Sequence, residues 1–266
     1  MIEALFERAR NAERAAFIPY VMAGDPDVET TEAVMLAMTD AGADFIELGV
    51  PYGDPVADGP TIAAAAQRAL MNDVGMRNVL DIVKRHKENA GAPIVLFSYF
   101  NPVLQYGIER FAHDASAAGA SAVIVPDLSL EEGDELSASL AEYELDMPLL
   151  VAPSTTRPRM AKIAAASTGF IYVVARLGVT GAGETVATDE LRTQVGALRG
   201  LTQLPLAVGF GVSNAEHVKE LAFVADGVIV GSALVDAYAG STGDDAVARV
   251  LAFVDPLIAA TRRETV

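Results

Sequence analysis

The stretch FIELGVPYGDPVADGPTI, residues 45–62, sets the architecture of the chain and contains its best candidates for chemistry. It opens as an apolar strand, 45–50, and then breaks into a loop rich in Pro, Gly and Asp before a helix predicted to begin near Thr61. Glu47 lies inside the apolar strand, where a charge is costly unless it is paired or used. Asp58 lies in the loop, where an Asp is ordinary. Glu47 is therefore the anomaly, and Asp58 is the neighbouring group to weigh with it.

Seven further apolar runs of strand length alternate with predicted helices along the chain. They are rich in Val, Ile and Leu, as expected for parallel strands buried on both faces. Eight strand–helix units account for the full length of the chain, whereas a doubly wound sheet would not use all eight strands. We therefore predict a single (βα)8 TIM-barrel domain over 1–266. An extra helix over 1–14 precedes the first strand. The strands are predicted at 17–22, 45–50, 94–99, 122–126, 148–152, 170–174, 205–208 and 227–230.

Helix boundaries are predicted from capping residues and turns. Asp27 is predicted to cap a helix that ends at Gly42. Asn101-Pro102 is interpreted as a turn that leads to a helix over 107–118, and a short helix over 233–238 is predicted after the last strand. The remaining helices are predicted at 61–71, 77–89, 131–143, 158–166, 188–198, 214–223 and 246–261.

Composition excludes several classes of function. The 266 residues carry a net charge of −17 and contain no Cys, which argues against a broad basic nucleic-acid surface, disulfides, thiolate metal sites and cysteine nucleophiles. The longest apolar region, 221–240, is broken by Asp226 and Asp236, so we interpret it as a strand and a helix and expect no membrane span. The first residues lack the pattern of a signal peptide, and we expect a cytoplasmic protein.

The charge balance has two interpretations. Only four lysines accompany the many acidic residues, namely Lys84, Lys87, Lys162 and Lys219. Acidic, lysine-poor surfaces are typical of halophilic proteins, whose charge keeps them soluble when salt screens repulsion. The alternative is an ordinary acidic cytosolic protein.

In a (βα)8 barrel the reactive groups lie at the carboxyl ends of the strands and in the loops that follow. Glu47 is expected to point into the barrel, although a structural ion pair would also explain it. Glycine-rich loops follow strands six, seven and eight, which favours a phosphate site, the alternative being simple tight turns. The residues concerned are Gly178, Gly181, Gly209, Gly211 and Gly231, with Ser232 beginning the short helix.

Other candidate groups are weaker. His86, His113 and His217 fall in polar helical stretches and are predicted to face solvent, and their spacing suggests no metal site. Ser232 has no His neighbour in sequence and is better suited to bind phosphate than to act as a nucleophile. Arg176, after strand six, could reach an anionic ligand or simply be solvated.

Taken together, these motifs resemble the tryptophan synthase alpha chain family. The resemblance rests on ELGVPYGDPVADGPTI (47–62), YVMAGDPD (20–27), GVTG (178–181), GFGVS (209–213) and GSALV (231–235). It implies a (βα)8 lyase that cleaves indole-3-glycerol phosphate to indole and glyceraldehyde 3-phosphate in tryptophan biosynthesis. It also implies an α2β2 complex with a beta chain that contains pyridoxal phosphate and consumes the indole. No metal or cofactor is expected in this chain.

The resemblance also implies roles for residues. Glu47 matches the acid–base that protonates the indole ring carbon and removes the side-chain hydroxyl proton, and Asp58 matches the group that holds the ring N–H. Thr180 matches a loop residue that contacts the catalytic aspartate on loop closure. Asp54 and the loop at Asp127 match regions facing the beta chain. Substrate and phosphate positions are matched by Tyr20, Phe97, Ile124, Tyr172, Gly181, Gly209, Phe210, Gly211, Gly231 and Ser232.

Four residues depart from the family pattern. Gly53 and Ala175 stand where Ser is common, Met22 where Thr is usual, and Ser129 where Pro is common. The first three bear on substrate positioning and loop closure, and Ser129 bears on the fit to the beta chain.

Two other functions compete with the lyase. A different phosphate-binding barrel, such as a sugar-phosphate isomerase or epimerase, is disfavoured by apolar positions such as Phe97. A non-catalytic subunit that only activates a partner is disfavoured because Glu47 and Asp58 are both present.

Overall fold

The structure, a computed structural model, describes residues 2–175, 189–209 and 211–263. Eight parallel strands pair in the order β4-β3-β2-β1-β8-β7-β6-β5. The two ends of this series meet, since the Val123 N–H donates to the Asp146 carbonyl at 2.9 Å and the Asp146 N–H donates to the Ser121 carbonyl at 3.1 Å. The predicted TIM barrel is confirmed. The strands are β1 (Ala16–Met22), β2 (Ile46–Gly49), β3 (Ile94–Phe97), β4 (Ala120–Ile124), β5 (Leu149–Val151), β6 (Ile171–Val174), β7 (Leu206–Gly209) and β8 (Gly227–Val230).

Twelve helices are found in the part of the chain that the structure describes. The predicted cap at Asp27 is present, because its Oδ1 accepts a hydrogen bond from the Thr30 N–H at 2.6 Å, and Gly42 ends the same helix with φ +108°. The helices are α1 (Ile2–Asn11), α2 (Val28–Ala41), α3 (Pro60–Met71), α4 (Met76–Glu88), α5 (Phe100–Tyr106), α6 (Ile108–Ala118), α7 (Asp134–Glu142), α8 (Arg157–Ala166), α9 (Asp189–Arg199), α10 (Ala215–Ala222), α11 (Ser232–Tyr238) and α12 (Gly243–Ala260).

Helix α1 covers the amino end of the barrel, as its apolar face predicts. The Phe6 ring lies 5.5 Å from Phe45 and 5.6 Å from Phe170, measured between ring centroids. Gly227 at the start of β8 leaves room for this contact, because a Cβ there would lie 2.7 Å from Phe6 Cε1. The barrel interior at its amino end is therefore filled with aromatic side chains.

Two helical predictions after β3 and β4 were wrong. The stretch at Asn101-Pro102 is not a turn but part of α5, because Pro102 falls in the first helical turn, where a missing N–H is tolerated. The Phe100 N–H, which has no partner within the helix, donates to Asp127 Oδ1 at 2.9 Å. Helix α7 begins at Asp134, three residues later than predicted.

The prediction that His86 faces solvent was also wrong. His86 is 2% exposed and lies on the buried face of α4 with Val79, Ile82 and Val83. These four residues have the spacing of one helix face, which indicates burial. The polar composition of the helix indicated solvent exposure instead, and the prediction followed the composition. His113 is exposed and His217 is half-buried.

Candidate active site

A cavity of about 130 Å³ opens at the carboxyl end of the barrel. Its walls come from strand ends and from the loops that follow β2, β7 and β8. Eight of the predicted site residues therefore lie together, although they span more than two hundred positions of sequence. The lining residues are Tyr20, Glu47, Asp58, Gly59, Ile62, Phe97, Tyr172, Gly211, Ile229, Gly231 and Ser232.

Glu47 is the buried carboxyl group of this cavity. It lies in β2, paired in register with Tyr20 of β1, and is 1% exposed. Its Oε1 has no hydrogen-bond partner among the residues that the structure describes, and no ion pair to Glu47 is found among them either. Burial raises its pKa from 4.5 to about 8, because a carboxylate there would lose its hydration. At neutral pH Glu47 is therefore a neutral acid with a proton to give.

Asp58 is the second carboxyl group of the cavity and is only partly buried. Desolvation raises its pKa to about 6, and an interaction with the Tyr99 hydroxyl opposes that rise. The same hydroxyl accepts a hydrogen bond from the Ala57 N–H at 2.9 Å, and the Tyr99 ring lies 5.4 Å from the Tyr52 ring. Tyr99 thus holds the loop that carries Asp58. Sequence reasoning missed this role, although an aromatic residue just beyond a barrel strand was a usable signal.

Two tyrosines lie deep in the barrel, and each depends on a glycine. A Cβ on Gly49 would lie 2.1 Å from the Tyr20 hydroxyl, and a Cβ on Gly209 would lie 2.3 Å from the Tyr172 hydroxyl. Only glycine leaves space for these rings. Burial raises the pKa of both tyrosines, and the nearby Asp58 and Glu47 carboxylates raise it further. Both phenols therefore stay neutral and can donate hydrogen bonds.

The other side of the cavity is formed by small residues. Gly211 has φ +75°, a conformation that favours glycine. Gly231 precedes α11, whose first residue is Ser232, and the first N–H groups of a helix have no partner within it. Backbone N–H groups and one hydroxyl can therefore approach an anion here, as the phosphate prediction requires.

Some predicted site residues lie elsewhere. Ile124 is fully buried beside Phe97 in the barrel and does not line the cavity. Gly209 lies beneath the Tyr172 ring. Predictions for Arg176, Gly178, Thr180, Gly181 and Phe210 concern positions outside the described residues. Sequence reasoning missed the wall residues Gly59, Ile62 and Ile229.

The described residues form neither a metal site nor a membrane-spanning helix. No group of three or more His, Cys, Asp or Glu side chains there could hold a metal ion. None of the described helices combines the length and apolar character that a membrane span needs.

Comparison with known proteins gives the family. Residues 6–262 match the family model for the tryptophan synthase alpha chain. The tryptophan synthase alpha chain of Opitutus terrae is 44% identical over 260 residues, covering 97% of each chain, and that of Prochlorococcus marinus is 44% identical over 243 residues, covering 91% of each. A structure of Mycobacterium tuberculosis tryptophan synthase superposes with a TM-score of 0.91 at 39% identity, covering 99% of this chain and 98% of that one. The chain described here therefore belongs to the tryptophan synthase alpha chain family.

Proposed function

We propose that Glu47 and Asp58 carry out the alpha reaction of this family, the cleavage of indole-3-glycerol phosphate to indole and glyceraldehyde 3-phosphate. The chain is a lyase of tryptophan biosynthesis by family membership. The observation that carries the assignment of roles is the buried Glu47 carboxyl, held neutral in a cavity whose walls are partly apolar.

Glu47 supplies the proton that the reaction needs first. Protonation of the indole ring carbon turns the ring into a leaving group, and a carboxyl with a pKa of about 8 is protonated at neutral pH. The carboxylate that results is poorly solvated, so it is a strong base toward the hydroxyl of the glycerol side chain. Removal of that proton breaks the carbon–carbon bond and returns Glu47 to its acid form. One buried group thus serves both proton transfers.

Asp58 stabilises the positive charge that protonation creates on the ring. Its pKa of about 6 leaves it mostly ionised at neutral pH, so it can accept a hydrogen bond from the ring N–H. The apolar side chains of Ile62, Phe97 and Ile229 suit the flat face of an indole better than a purely polar sugar. In this proposal the phosphate binds at Gly211, Gly231 and Ser232, which line the same cavity.

A beta chain is the proposed partner, and the α2β2 assembly with pyridoxal phosphate in that partner remains part of the proposal. Two large apolar side chains are exposed on elements that leave the carboxyl end of the barrel, Val56 at 75% and Leu104 at 53%. Asp54 lies in the same loop as Val56, and Asp127 receives the first N–H of α5. We propose that these four residues belong to the surface that the beta chain covers.

We further propose that the protein works in a salt-rich cytoplasm. The support is the net charge of −17 together with the scarcity of lysine. At high ionic strength the mutual repulsion of surface carboxylates is screened, so such a chain can be both soluble and stable.

The proposed roles are tested by indole release from indole-3-glycerol phosphate in high salt, with and without the cognate beta chain. We expect slow release by the wild type, acceleration by the partner, and a loss of about 10²–10⁴-fold in Glu47→Gln. Asp58→Asn should fall comparably. Asp54→Asn, in the same loop but outside the cavity, is the matched control and should retain wild-type activity without the partner. Release by Glu47→Gln at the wild-type rate would reject the acid–base role.

A further inference from the structure

A second cavity, of about 290 Å³, lies at the opposite end of the barrel, where β3 and β4 begin. Its walls are the last turns of α4 and α6 and the turn that follows α7. It shares no lining residue with the catalytic cavity. The lining residues are Val83, His86, Lys87, Gly91, Ala92, Pro93, Ile94, Ser116, Gly119, Ala120, Ser121, Tyr143 and Glu144.

His86 is the buried polar group of this second cavity. It is 2% exposed, and its ring interacts with the Ala92 backbone but neither ring nitrogen forms a hydrogen bond of good geometry to a described residue. A buried polar group without a well-formed hydrogen bond destabilises the fold, so such a group in a native structure calls for an explanation. The alpha reaction offers none, because His86 lies at the other end of the barrel from Glu47.

The imidazole of His86 is neutral at neutral pH. Burial lowers its pKa, and the backbone of Ala92 opposes that shift only in part. A neutral imidazole offers one N–H donor and one nitrogen acceptor. It can therefore pair with a ligand that has either kind of group.

Two glycines shape this cavity. A Cβ on Gly91 would lie 2.2 Å from His86 Nε2, and a Cβ on Gly119 would lie 2.1 Å from Lys87 Cδ. The imidazole and the stem of Lys87 thus pack directly on glycine backbone. Packing against the glycine backbone therefore restricts the positions of both side chains.

One basic and one acidic side chain line this cavity. Among the described residues that line it, the basic and acidic side chains are those of Lys87 and Glu144, and both are exposed at its edge. Ser116 and Tyr143 add hydroxyl groups. A single carboxylate beside a neutral imidazole is a poor set of ligands for a divalent cation, and no metal-binding group of side chains is found in the described ranges. A lone anion would be attracted by Lys87 but repelled by Glu144.

We propose that this second cavity binds a small zwitterion, an α-amino acid or a compound with the same two charged groups. Lys87 holds the carboxylate, Glu144 holds the ammonium group, and His86 forms a hydrogen bond to the bound molecule. The apolar side chains of Val83 and Ile94 face the remainder of the ligand.

The direct readout is the imidazole of His86 itself. Protein labelled with ¹⁵N-histidine is titrated with each of the twenty common L-amino acids, and the ring nitrogens are followed by NMR. We expect at least one amino acid to shift His86 in a saturable way, with a Kd in the millimolar range. His217, half-buried on α10 and absent from this cavity, is the internal reference and should not move.

Single-charge probes and two variants test the assignment of the charged groups. Propionate lacks the ammonium group and propylamine lacks the carboxylate, so both should bind more weakly than the amino acid. Lys87→Met and Glu144→Gln should each raise the Kd about tenfold, since each removes one charge-assisted contact, and neither should change indole release. If no amino acid shifts His86, the cavity holds water only and the proposal fails. Binding that is unchanged in both variants would equally overturn it.

Discussion

The pKa of Glu47 predicts how the stability of this protein depends on pH. The native state keeps the Glu47 proton up to about pH 8, whereas an unfolded chain loses it near 4.5. Between these values the native state holds the extra proton, so the free energy of unfolding falls as pH rises. Replacing Glu47 by Gln removes this titration while keeping the size of the side chain.

The size of the effect follows from the two pKa values. Each unit of difference corresponds to about 1.36 kcal/mol. Integrated between about pH 5 and pH 8, the titration of Glu47 lowers the stability of the wild type by roughly 3–4 kcal/mol relative to Glu47→Gln. Above about pH 8 the group is ionised in both states and the two proteins should change in parallel.

Urea unfolding of the wild type and of Glu47→Gln across this pH range measures the difference. Glu88→Gln, at the exposed end of α4, is the matched control for replacing a carboxylate by an amide and should follow the wild type. Carboxyl ¹³C NMR should place the midpoint of the Glu47 titration near 8. If the stabilities of the wild type and of Glu47→Gln differ by the same amount at every pH, Glu47 is not desolvated and this prediction is wrong.

Three further predictions concern packing, ion pairing and salt. Gly49→Ala places a Cβ 2.1 Å from the Tyr20 hydroxyl, so it should lower the free energy of unfolding by about 1–3 kcal/mol and impair indole release. Gly53→Ala is the control, because a Cβ there has no atom within 4 Å, and it should change neither quantity. Urea unfolding and the indole assay measure the two effects. Arg68→Met leaves the buried Asp25 without the two hydrogen bonds that it accepts from Arg68, at 2.6 and 2.9 Å, and should lower the free energy of unfolding by about 3 kcal/mol. Adding Asp25→Asn should recover part of that loss, and strictly additive effects of the two substitutions would contradict the prediction. Raising KCl should raise the midpoint of thermal unfolding, because salt screens a net charge of −17; a midpoint independent of KCl would reject adaptation to salt.

Local patterns were sufficient where a residue's environment depends on its immediate neighbours in sequence. The buried strands read as continuous apolar runs, and Asp27 capped its helix as predicted. Glu47 stood out because a carboxyl group inside an apolar strand must be buried whichever way the strand faces. The family motifs then indicated its proposed partner, Asp58, and the small residues of the proposed phosphate site.

Patterns failed where a residue's environment is supplied by a distant segment. Tyr99 was not predicted to hold the Asp58 loop, because its bond to Ala57 joins residues 42 positions apart. His86 was assigned to solvent from its polar neighbours, but the segments around Gly91 and Tyr143 help to enclose it.

Apolar runs and turn residues were enough to predict a barrel of eight parallel strands, and they singled out Glu47 as the buried acid of the candidate site. The pKa of about 8 at Glu47 and the second cavity around His86 became visible only once the folded chain was known. The physical reason is that desolvation depends on all the atoms that surround a group. In a closed barrel those atoms come from strands and helices far apart in the chain.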